Sequence, residues 1–78
     1  MRREAFDFLR QLRRDEREDL LGLLRALGRD PFRPGDFSER DGSGREIEVL
    51  IIRRYAVVYW TDHAVKEVKV TDIRFADR

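Results

Sequence analysis

The side chains able to do chemistry in this chain are few. His63 is the only histidine and there is no cysteine. That excludes thiolate nucleophiles, disulfides and any two-histidine metal site or mechanism. His63 falls beside Asp62 in a break between two apolar runs, and the reading is a solvated turn residue. Ser38 and Ser43 have no base placed by spacing, and no nucleophile elbow surrounds either. Asp36, Glu39 and Asp41 lack the spacing of a calcium loop, and no glycine-rich phosphate loop is present. No metal or cofactor is expected. Arg10, Arg13, Arg14 and Arg17 form a basic run that could meet phosphate, but Asp7, Asp15, Glu16 and Glu18 interleave with it, as on a salt-bridged solvated face. Tyr55 and Tyr59 read as strand-packing aromatics, whereas Trp60 suits an interface anchor if it faces outward.

These residues belong to a single small domain spanning residues 1–78. Charged residues make up 42% of the chain, yet 17 basic and 16 acidic side chains leave a net charge of +1. So even a balance argues against binding nucleic acid by bulk electrostatics. No apolar run is long enough to span a membrane, and no apolar stretch follows Met1-Arg2-Arg3-Glu4 as in a signal peptide. A cytoplasmic protein is expected.

Ala5, Phe8, Leu9 and Leu12 recur at i, i+3, i+4 and i+7, the stripe of an amphipathic helix. Asp15 with Glu18 three residues on predicts a capping box for a second helix from about Glu16 to Leu27, burying Leu20, Leu23, Leu24 and Leu27. Gly28 and Pro31 mark its end. Residues 31–44 (PFRPGDFSERDGSG) read as a loop without regular structure, pinned to the core by Phe32 and Phe37.

Three β-rich runs follow. Placing a two-residue turn at Arg53-Arg54 sets Ile52 opposite Tyr55, Leu50 opposite Val57 and Glu48 opposite Tyr59. One face then carries Leu50, Ile52, Tyr55, Val57 and Tyr59, joined by Val68 and Val70 of the third strand, and suits a helix-covered core. The other carries Ile47, Val49, Ile51, Ala56, Val58 and Trp60, with Glu67, Lys69 and Thr71. The expected fold is α+β: an N-terminal helical hairpin on a C-terminal three-stranded antiparallel sheet, in the order α-α-β-β-β. With helices on one side only, Ile47, Val49, Val58 and Trp60 would form an exposed apolar patch, the mark of a protein interface. Cover by the long loop is the alternative.

The order of pieces resembles the RelE/ParE superfamily of bacterial toxins from type II toxin–antitoxin pairs. The resemblance rests on two helices, a glycine and short polar stretch before the first strand, the aromatic-started strand Tyr55-Ala56-Val57-Val58-Tyr59, and a last strand closing on the polar tail Asp72 to Arg78. It implies an antitoxin partner and either ribosome-dependent mRNA cleavage or gyrase inhibition. In the cleaving branch, basic side chains stabilise the charge of the phosphorane without a metal. Two departures stand out. The initial strand of the family is missing, and its basic positions are filled here by Ile47, Val49 and Ala56. For phosphate contact the resemblance leaves Lys69, Arg74 and Arg78, with Arg53 and Arg54 at a hairpin tip as further binding residues. The alternative is a non-catalytic, degenerate toxin relative that binds protein or forms a homodimer through its apolar face.

Overall fold

A computed structural model of the chain describes residues 2–30 and 32–77. The elements are α1 (Arg3–Gln11), α2 (Arg14–Gly28), β1 (Phe37–Arg40), β2 (Glu46–Ile52), β3 (Tyr55–Asp62) and β4 (Glu67–Phe75). The four strands form one antiparallel sheet in the order β1-β2-β3-β4. The fold is α+β as expected, with four strands rather than three. No helix among the described residues is long and apolar enough to cross a membrane.

The helical stretch is two helices, broken at Leu12, whose backbone is extended. The second helix has Arg13 at its N-cap and no side-chain cap. Asp15 is therefore not the cap but a first-turn residue, where with Glu16 it complements the helix dipole. Glu18 reaches back to Arg14 instead (Nε–Oε1 3.3 Å). Leu20, Leu24 and Leu27 are buried, and Leu23 is half-buried.

The β2–β3 register follows the parity argument: Ile52 faces Tyr55, Leu50 faces Val57 and Glu48 faces Tyr59. Leu50, Tyr55, Val57, Tyr59, Val70 and Ile73 pack with the buried side chains of both helices in the main core. Phe8 meets Phe75 and Tyr55 edge-on, at centroid distances of 5.1 and 5.9 Å. The turn lacks glycine, but Arg53 adopts φ 56° and supplies the left-handed residue such turns need. Both turn arginines are anchored to α2, Arg53 by Asp19 and Arg54 by Glu16 (3.0 Å).

The strand absent from the sequence reading is β1. It arises because the segment before it lies tightly along β2. A Cβ on Gly35 would stand 2.6 Å from the Val49 carbonyl oxygen, so only glycine fits. Asp36 N–H donates to Val49 O (2.9 Å), and the Asp36 carboxylate accepts from Ile51 N–H (2.7 Å). Gly35 N–H donates to Glu48 Oε1 (3.0 Å), and Ser38 Oγ donates to the other oxygen of that carboxylate. The Tyr59 hydroxyl completes the anchor by donating to Arg33 O (2.8 Å). Polar groups therefore fix this segment. Phe32 and Phe37 do not: they are 53% and 49% exposed.

The fourth strand also changes the face away from the helices. It makes β2 an inner strand, so Val49 has Phe37 on one side and Val58 on the other. Across β4, Asp72 stands opposite Val58 and Arg74 opposite Ala56. Val49, Ala56 and Val58 are consequently buried as a second small cluster, with Ile47 packed against it. The expected exposed patch of Ile47, Val49, Val58 and Trp60 is thus not present as a unit.

Candidate functional site

Lys69 and Arg74 both project from the second face, opposite Trp60 and Ala56. Those partners lie four positions apart on β3, which places the two cations about 13 Å apart along the strand. Each is held by a carboxylate two residues away. Lys69 Nζ bonds Glu67 Oε2 at 2.8 Å, and Arg74 Nη1 lies 3.8 Å from Asp72 Oδ2. The Glu67 hydrogen bond and charge hold the Lys69 ammonium above its ordinary pKa, so it stays protonated and is no candidate base. Arg78 lies outside the described residues. Arg53 and Arg54, engaged by α2, belong to the helix side. Of the five basic residues singled out from the sequence, the four that are described therefore do not assemble. Nor does any group of three or more His, Cys, Asp or Glu stand close enough to hold a metal ion there.

Chemistry gathers instead around Trp60. Its half-buried indole lies beneath the Arg45 guanidinium, 4.2 Å from ring centroid to Cζ. Beside it opens a cleft of about 410 Å³, lined by Arg2, Asp41, Arg45, Ile47, Trp60, Lys69, Val70 and Thr71. Each side chain has an identifiable reason to be there. Arg45 immediately precedes β2 and shares the parity of Ile47. Trp60 and Lys69 are cross-strand partners. A bulge between Val58 and Tyr59 sets Thr71 out of pairing, and its hydroxyl donates to Val58 O (3.3 Å). Arg2 closes the far side because its N–H donates to Val70 O on the outer edge of β4 (3.0 Å).

Asp41 is the acid of this cleft, and the turn uses it. Its Oδ1 accepts from Ser43 N–H (2.9 Å), Ser43 Oγ (2.7 Å) and Arg45 N–H (2.9 Å). The Ser43 hydroxyl contributes most to holding the Asp41 carboxyl below the usual carboxylate range. The Asx turn so formed fixes where Arg45 leaves for β2.

A second, smaller cleft of about 240 Å³ lies on the other side of Trp60 and includes Phe32, Arg33, Glu46 and His63. His63 is exposed and stacks on Phe32 at 5.2 Å. Tyr59, fully buried on the helix side, has its phenol pushed above the ordinary value, chiefly by burial and then by Glu48.

Sequence reasoning found Trp60 and Lys69 but missed their companions Arg2, Arg45 and Asp41. Parity with Ile47 was a usable signal for Arg45, and Asp41-Gly-Ser a usable turn signal. Nothing in the sequence links Arg2 to Lys69. Compared with known proteins, the chain matches no family, no curated protein and no solved structure.

Proposed function

We propose that this chain is the toxin-like component of a type II toxin–antitoxin module on a RelE/ParE-like scaffold, working in the cytoplasm with an antitoxin as its protein partner. Within that reading it acts by binding rather than by cutting mRNA on the ribosome. What supports the scaffold is the arrangement of two helices on one face of an antiparallel sheet whose last three strands run in sequence order. The observation that carries the binding mode is the separation of Lys69 from Arg74, with each cation paired to its own carboxylate. A phosphorane needs donors within about 3 Å of its developing charge, all at one point.

The antitoxin contact is assigned to the apolar part of the second face that remains accessible. Phe37 and Ile51 are exposed there, and Ile47 and Trp60 are half-buried. Strand addition at a sheet edge is the second element of the contact. Induced expression alone, then together with the product of the adjacent gene, tests the pairing. Growth arrest relieved by the neighbour supports it, and unaffected growth in both cases refutes it. Homodimerisation through the same face is a second reading, favoured by the 49% exposure of Phe37 and 39% exposure of Ile51. Light scattering on the purified chain decides it.

A further inference from the structure

We propose that the cleft beside Trp60 binds a phosphomonoester bearing a planar ring, with a nucleoside 5′-monophosphate as the type ligand. This assignment does not rest on the toxin reading. Across the sheet the groups stand in a row: Arg45 before β2, Trp60 on β3, Lys69 opposite it on β4, and Arg2 beyond on the β4 edge. Cations therefore flank the indole on both sides. In a chain with almost balanced charge, three cations and one carboxylate line this cleft. Asp41 Oδ1, moreover, is already taken up by three donors of its own turn. Glu67 bonds Lys69 and Glu4 lies 3.8 Å from Arg2, so charge around the cleft is close to balanced, and the site rests on placed donors rather than on an excess of positive charge.

The two halves of the ligand follow from the two halves of the cleft. Arg45 over Trp60 makes a flat cation–π platform, and planar bases stack on both indole and guanidinium surfaces. Lys69 and Arg2 sit to one side of that platform, where a phosphate on a ribose-length tether arrives. The Lys69 ammonium gives one hydrogen to Glu67 and keeps two for a phosphate oxygen. Arg2 brings a guanidinium, the better match to phosphate geometry. The cleft volume of about 410 Å³ falls in the lower part of the range for small-molecule sites, roughly 300–1,000 Å³. The Asp41–Arg45 turn bounds one side and Arg2 the other, which favours a single nucleotide over a through-running strand.

Trp60 is the only tryptophan, so its fluorescence reports on the surroundings of this one indole, and the Arg45 and Lys69 variants assign any signal to this cleft rather than to the smaller one on its other side. The experiment titrates the full chain with AMP and UMP, with adenosine, with inorganic phosphate, and with a single-stranded decanucleotide, using calorimetry to confirm any signal. The expected result is a saturable change with the monophosphates at a Kd below about 1 mM. Adenosine and phosphate alone bind at least tenfold more weakly. Arg45→Gln and Lys69→Gln each weaken the monophosphate about tenfold while circular dichroism stays unchanged, and Arg74→Gln, outside the cleft, leaves it unaltered. No saturable change up to about 10 mM overturns the proposal, as does equal affinity for adenosine. A decanucleotide binding a hundredfold more tightly than the monophosphate also overturns it, in favour of a strand-binding groove.

Discussion

Replacing Gly35 by alanine tests how the fourth strand is held. The new methyl would lie 2.6, 2.9 and 3.0 Å from the oxygen, carbon and nitrogen of Val49, all backbone atoms of an inner strand. No side chain can swing away to relieve this. Overpacking of that kind costs about 1–3 kcal/mol. Escape by lifting residues 35–36 from β2 sacrifices the Gly35–Glu48 and Asp36–Val49 hydrogen bonds, worth about 1 kcal/mol each. Alanine restricts the unfolded chain and returns about 0.4–1 kcal/mol. The net expectation is a destabilisation of about 2 kcal/mol, which at a urea slope of about 1 kcal/mol/M lowers the midpoint by about 2 M. Gly22→Ala is the matched control. Gly22 lies inside α2 with nothing within 4 Å of an added Cβ, so that change should stabilise by about 1 kcal/mol. Urea unfolding followed by circular dichroism reads both. Equal or higher stability of Gly35→Ala would refute the close approach that creates β1.

Tyr59→Phe removes the donor to Arg33 O and should cost about 1 kcal/mol in the same assay. The raised phenol pKa of Tyr59 adds a pH signature. The unfolded chain ionises first, so stability is intact below about pH 10 and falls as pH climbs toward the folded value. The phenylalanine variant should lack this alkaline loss. Asp41 behaves in the opposite sense, because its folded pKa is depressed. Its contribution is present above about pH 4 and is lost as pH falls through the depressed folded value, so the stability gap between wild type and Asp41→Ala should be widest at neutral pH and narrow progressively in acid. Trp60→Ala should weaken an antitoxin complex by more than about 1 kcal/mol without unfolding the domain; calorimetry showing unchanged affinity would remove Trp60 from the interface.

What the sequence made legible was the part governed by period-2 parity. Ile52, Leu50 and Glu48 meet Tyr55, Val57 and Tyr59 because a one-residue slip would turn the core face outward. The helices were legible from Ala5, Leu9, Leu20, Leu24 and Leu27, all buried. Strand β1 was not. Its sequence FSER is exposed throughout and has no apolar alternation. It pairs because Gly35 permits contact with Val49 and because Asp36 and Glu48 accept backbone donors across 13–15 residues of sequence. That missing strand is also why Val49 and Val58 were expected in the open. For the cleft, parity could place Arg45, but only the backbone bond from Arg2 to Val70 brings the third cation.

The carboxylate partners also bear on the cation candidates Lys69 and Arg74. Lys69 with Glu67 and Arg74 with Asp72 are i,i+2 pairs on one strand face; parity already set Glu67 beside Lys69, and the extent of β4 adds the second pair. Exposed pairs of this sort add little stability, about 0–1 kcal/mol. Their consequence is positional: each holds its cation toward a different end of the strand.

The central claim is that this face binds rather than cuts. Primer extension on a message undergoing cell-free translation, with and without the purified chain, addresses it most directly. The account predicts full-length message at every concentration of the protein. Codon-periodic cleavage that appears only on translated message, and vanishes in the Lys69→Gln, Arg74→Gln double variant, would contradict it.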